Sequence, residues 1–115
     1  MPDTPADTLR AAAARIREHA TDALHASPLP WAIKTSGYYG NGAIVAANRD
    51  IVADRSDVEP GEAIDLPYIA LMHPGVGKLI ADWLESAART WEFVTYSNRD
   101  AALAVARAVL DSRDS

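Results

Sequence analysis

The chain has 115 residues, a formal net charge of -5 and an apolar fraction of 49%. That size and balance suit one small globular domain, 1–115, and exclude wholesale disorder. The lack of cysteine excludes disulfides, thiolate metal sites and a thiol nucleophile.

Only Lys34 and Lys78 are lysines, and the arginines are dispersed against 16 acidic side chains. No basic stripe forms, so nucleic acid is not expected as a partner. No apolar run approaches the roughly 20 residues that span a bilayer, and the N-terminus does not resemble a signal peptide. The chain therefore reads as cytoplasmic, with no membrane contact.

Residues 1–6 and 112–115 read as frayed tails. Thr4 or Asp7 is placed to cap a helix, with Pro5 suited to an early position. From Asp7 to Ala26, Leu9, Ala12, Ala13, Ile16, Ala20, Ala23 and Leu24 recur at steps of three and four, which predicts a helix. Its apolar face is mostly alanine and favours close approach to another helix, within the chain or in a second copy. Ser27-Pro28-Leu29-Pro30 ends it.

Trp31–Ser36, Ala43–Ala47 and Ile51–Asp54 predict a three-stranded antiparallel meander. Asn41-Gly42 suits the first hairpin turn, and Asn48-Arg49-Asp50 supplies the second. Residues 55–62 form a polar loop. Asp65 then caps a helical turn over Leu66–Met72, burying Ile69, Leu71 and Met72.

His73-Pro74 breaks that turn, and Pro74 opens the strongest helix of the chain, to about Arg89. Val76, Leu79, Ile80, Trp83, Leu84, Ala87 and Ala88 give it a core stripe, continued by Trp91. Lys78–Asp82 and Glu85–Arg89 form surface pairs. Residues 91–96 fit a helix end, a loop or an edge strand. Ser97 with Asp100 resembles a capping box ahead of a last helix from Asn98 to Asp111. The fold class is α+β: an N-terminal helix, the meander, then two main helices packed on one face of the sheet.

Three pieces of sequence carry a resemblance: Ser27-Pro28-Leu29-Pro30-Trp31, Tyr68-Ile69-Ala70-Leu71-Met72-His73-Pro74, and Ala102-Leu103-Ala104-Val105-Ala106-Arg107-Ala108. In this order the chain resembles uncharacterised small proteins of actinobacterial phages and integrated elements. Its middle part is similar to the Ead-like early-region proteins of lambdoid phages. Leu66-Pro67 departs from the pattern, which more often has two helix formers there. The resemblance implies a phage or mobile-element origin and carries no catalytic residues.

The candidate site is His73-Pro74-Gly75-Val76-Gly77-Lys78. Glycines at a helix N-terminus expose amides where the dipole favours anions, and Lys78 adds charge. The spacing is not that of a P-loop, and no Ser or Thr follows Lys78. The plainer reading is that Pro74 starts the helix while Gly75 and Gly77 permit close packing. Tyr38 and Tyr39 are an aromatic pair suited to an interaction surface. His19 and His25 lie on different helix faces and form no local metal pair. Asp54, Asp57, Glu59 and Glu62 read as a solvated loop.

The expected function is a non-enzymatic interaction protein that self-associates or meets a host or phage protein, with no cofactor and no metal. The alternative is a small-ligand binder that takes an anionic or nucleotide group at His73, Gly75, Gly77 and Lys78.

Overall fold

Thr4 opens the first helix. Its hydroxyl accepts the Asp7 N–H at 3.1 Å, and Pro5 takes a first-turn position where its missing amide costs nothing. The computed structural model describes residues 4–35, 42–54 and 65–111. Helix α1 spans Pro5–Ala26, so Pro5 and Ala6 belong to a capped helix rather than to a frayed tail.

Strands β1 (Ala32–Lys34), β2 (Ala43–Val45) and β3 (Ile51–Asp54) follow. After them come α2 (Leu66–Leu71), α3 (Pro74–Arg89), a 3-10 turn over Trp91–Phe93, and α4 (Tyr96–Asp111). This is the predicted α+β order: a helix, a three-stranded antiparallel sheet in the order β1-β2-β3, then helices. Two compact units make up the chain: Met1–Ala20 with Gly77–Ser115, and Thr21–Val76.

The first unit is helical, and its core is mostly alanine. Leu9, Ala12 and Ala13 of α1 meet Ala81, Leu84, Ala87 and Ala88 of α3 and Ala102 and Ala106 of α4. Small side chains on every partner let the backbones approach closely, so many weak dispersion contacts replace a few large side chains. The alanine face of α1 is thus covered within the chain. Ile16, Ile80, Leu103, Val109 and Leu110 pack around this centre.

Charges tie the same helices together outside the core. Arg17 of α1 reaches Asp82 at 2.7 Å and also pairs with Glu85, which in turn meets Arg89 at 3.6 Å. Asp82, expected to pair with Lys78, therefore serves α1. The hydrogen bonds that Arg17 donates to Asp82 and then Glu85 raise its pKa above its ordinary value, against opposing desolvation. A raised cation contributes stability below its unfolded pKa and loses it above its folded one. That window is too alkaline to matter, so salt rather than pH is the lever on this cation. Arg15 donates to the Leu110 carbonyl at 3.2 Å, placing a cation on the last turn of α4.

Two expectations about helix starts are corrected. Thr95, not Ser97, caps α4: its hydroxyl accepts the Asn98 N–H at 3.4 Å, and Ser97 lies in the first turn. Asp65 has helical backbone angles and makes no side-chain cap bond to α2.

The second unit holds the sheet. Gly42, Ala43, Ile44, Val45 and Ala46 are buried, and α2 lies against β1 and β2 through buried Leu66. At about 100° per residue, Ile69 and Ala70 share the side of Leu66, whereas Tyr68 and Leu71 point away. Leu71 is accordingly 67% exposed and Met72 40%, against the expectation that both are buried.

β1 pairs with β2 as Lys34↔Ala43 and Ile33↔Ile44. Asn41 of the expected turn lies outside the described residues. Gly42 does take a positive φ of 142°, and a Cβ there would sit 2.8 Å from Leu66 Cδ1. Glycine is therefore required twice over, by backbone and by space.

The second hairpin turns where expected. Arg49 donates to the Ala46 carbonyl, Ala46 donates to Asp50, and Arg49 takes φ 73°. This is a three-residue loop closed by a left-handed residue, and a register shift between Ile44 and Val45 lies just before it on β2. Asn48 accepts the Asp50 N–H and donates to the Ala26 carbonyl, fastening the loop to the end of α1. Trp31, half-buried, donates its indole N–H to the Ser27 carbonyl at 2.8 Å.

Candidate functional site

His73 acts on the start of α3 through its side chain. The Gly75 N–H donates to His73 Nδ1 at 3.0 Å, and the Val76 N–H donates to the His73 carbonyl at 3.0 Å. Helix starts leave their first amides without partners, and here residue 73 takes two of them. An anion on the Gly75 amide would have to displace the imidazole.

The glycines differ in what surrounds them. A Cβ on Gly75 would lie 2.8 Å from the His73 ring and 3.2 Å from Leu29 Cδ1, so this glycine makes room for the cap. Beside Gly77 the nearest atom to an added methyl would be Ile16 Cγ2, at an ordinary contact distance of 3.5 Å. Lys78 is exposed. Tyr38 and Tyr39 lie outside the described residues, as do Asp57, Glu59 and Glu62.

A different surface emerges on α3. Its buried side carries Ala81, Leu84 and Ala88, with Gly77 half-buried in line with them. Nearly opposite, at about 100° per residue, lie Leu79, Trp83, Ser86 and Thr90. Leu79 is 69% exposed and Trp83 42%. The expected core stripe over Val76–Ala88 therefore splits: Leu84, Ala87 and Ala88 go inward, while Leu79 and Trp83 face out.

The chain after α3 extends this outer face. Thr90 donates its hydroxyl to the Ser86 carbonyl, and the 3-10 turn closes with the Phe93 N–H on the Thr90 carbonyl. The turn projects Phe93 at 86% exposure. Between α3 and the start of α4 lies an open groove of about 240 Å³, lined by Trp83, Ser86, Thr90, Phe93, Val94 and Asn98. A second cleft, of about 350 Å³, lies between Ala6, Ala88, Arg89, Trp91, Glu92 and Phe93. Phe93 is common to both.

Arg99 fixes this turn from α4. It donates to the Trp91 carbonyl at 2.8 Å, and its guanidinium stands 4.9 Å from the Trp91 ring centre and 5.3 Å from that of Tyr96. Its Nε is buried with no hydrogen-bond partner. A cation held over two aromatic faces keeps Trp91 in and leaves Tyr96, at 81% exposure, on the surface.

The sequence did carry a signal for this outer face. Leu79 and Trp83 together with Leu84 and Ala88 cover more of the helix circumference than one packed side requires. His19 and His25 are exposed. Among the described residues no group of three His, Asp or Glu side chains is placed to hold a metal ion, and no helix is long and apolar enough to cross a membrane. No protein family, curated protein or solved structure matches the chain.

Proposed function

We propose that this chain is a non-enzymatic interaction protein of phage or mobile-element origin that self-associates in the host cytoplasm. The observation that supports self-association is the outer face of α3 with its following turn, where Leu79, Trp83 and Phe93 are all exposed. Burying each large apolar side chain contributes about 1.5–3 kcal/mol, so such a face favours a partner. The origin rests on the three sequence pieces at Ser27–Trp31, Tyr68–Pro74 and Ala102–Ala108. The alanine face of α1 no longer supports the reading, because Ala12 and Ala13 are used in the chain's own core.

Light scattering across a dilution series tests the proposal. The expected result is a mass above that of one chain which falls on dilution. A single-chain mass at every concentration overturns it.

A further inference from the structure

Among the described residues three surfaces compete to join two copies: the edges of the sheet, the outer side of α2, and the outer face of α3 with Phe93. The sheet edges are short. β1 has 3 residues and β3 has 4, so an edge-to-edge pairing would gain few main-chain hydrogen bonds. The outer side of α2 belongs to a helix of only 6 residues. The α3 surface combines a long helix, a projecting ring and a groove beside it.

We infer that two copies of this chain meet through that α3 surface in a two-fold arrangement, with Phe93 of each copy seated in the groove beside Trp83 of the other. The inference rests on the self-association proposed above and names its surface.

Area supports a second copy as the occupant. A whole aromatic side chain presents about 150–250 Å². With Trp83 and Phe93 exposed by 42% and 86%, the two expose roughly 190–320 Å² before Leu79 is added. A standard interface covers about 800 Å² on each partner, of which a little over half is apolar. The exposed face therefore supplies a large part of the apolar area that one side of a stable dimer needs.

Shape and charge point the same way. A two-fold interface uses one patch twice, so the patch must contain both the projection and its receptacle. Phe93 projects from the rim of the groove that Trp83, Ser86 and Asn98 line. At about 240 Å³ that groove falls below the range of about 300–1,000 Å³ usual for small-molecule sites, and an aromatic ring suits it better. Each chain carries a net charge of -5, which alone would hold two copies apart. Beside Phe93, however, Arg89, which meets Glu85 at 3.6 Å, and Glu92 line one cleft, so both signs of charge stand at the patch. A two-fold axis near Phe93 lets Arg89 of one copy face Glu92 of the other, so the patch is complementary to itself.

The test uses the full chain and five variants: Phe93→Glu, Leu79→Ser, Ile51→Lys on the sheet edge, Arg89→Glu, and Arg89→Glu combined with Glu92→Arg. Self-association is read by light scattering, and folding by circular dichroism on the same samples. Phe93→Glu is expected to weaken self-association at least about thirtyfold, as the loss of a central aromatic does, with the helical spectrum retained. Leu79→Ser is expected to weaken it in the same direction. Should Phe93→Glu fail to fold, the Leu79 variant decides. Ile51→Lys is expected to associate as the unaltered chain does. Arg89→Glu alone is expected to weaken association, and adding Glu92→Arg to restore it.

A folded Phe93→Glu or Leu79→Ser that associates unchanged overturns the inference, while the proposed self-association stands. Loss of association in Ile51→Lys alone overturns it in favour of the sheet edge. An elevated mass that proves to be a foreign protein bound at this face also overturns it. An unaltered chain that is monomeric throughout removes the proposed self-association itself.

Discussion

The two faces of α3 invert the usual relation between size and burial. On the inner face stand Gly77, Ala81, Leu84 and Ala88; on the outer face stand Leu79, Trp83, Ser86 and Thr90. The larger apolar surface, Trp83 with Leu79, is on the outside. Inward direction in this unit is set by how closely helices approach. Ala81 is fully buried because Ala12 and Ala13 of α1 and Ala102 and Ala106 of α4 are small enough to let three backbones converge. A tryptophan on that side would force them apart. The outer face is under no such constraint.

The largest effect that would test this contrast comes from Leu84, the one large side chain on the inner face. It is fully buried. Leu84→Ala is expected to destabilise folding by about 2–5 kcal/mol, through lost transfer energy and a residual cavity. Urea unfolding of the dissociated chain reads the change directly. If Trp83→Ala, a larger truncation on the outer face, costs as much, the contrast is broken.

Next comes the opposite insult. Ala81→Leu adds apolar surface, which helps if hydrophobicity governs this face and harms if close approach does. With three helices converging on Ala81, a loss of about 1–3 kcal/mol is expected from overpacking. A gain in the urea midpoint at unchanged slope would show that the inner face has room to spare.

The sequence made the helices legible and misassigned one of their faces. Proline and capping chemistry are local, so His73-Pro74 marked where α3 begins and Ser27-Pro28 where α1 ends, while the start of α1 stood open between Thr4 and Asp7. Periodicity placed Leu9, Ala12, Ala13 and Ala20 inward on α1 because few large apolar residues competed there. On α3 the same rule failed for Leu79 and Trp83. Leu79 and Trp83 are four apart, as are Ile80 and Leu84, so either pair fits an inward stripe, and only the partners of Ala81 decide which side turns in. Leu71 and Met72 were misread for a similar reason: α2 is so short that Leu66 alone fixes its orientation. At the candidate site the anion-binding pattern around Gly75 was visible. That the His73 ring already accepts the Gly75 amide was not, because a side chain folding back on its own helix leaves no periodic trace.

Gly77 sharpens the contrast from the inner face at smaller amplitude. It sits in the first turns of α3, with Ile16 Cγ2 3.5 Å from where a Cβ would lie. Alanine fits at that distance and removes the entropic cost of glycine in a helix. Gly77→Ala is expected to stabilise the chain by about 0.5–1 kcal/mol, seen as a higher urea midpoint. Destabilisation would mean that even one methyl is too many there, making the inner face tighter than the distance to Ile16 implies.

The smallest expected effect on folding is the most diagnostic for the outer face. Leu79 is 69% exposed, so most of its surface is wet in the folded and unfolded chain alike. Leucine and glutamine have similar helix propensity, so Leu79→Gln isolates the value of the side chain's surroundings. In dilute solution, with copies apart, the change in stability is expected to stay within about 0.5 kcal/mol. At concentrations where copies associate, the unaltered chain gains stability from mass action that the variant partly forgoes, and the two urea midpoints should separate. A difference already present on dilution would show that Leu79 packs within its own chain. A difference that appears only on concentration locates its partner in another copy.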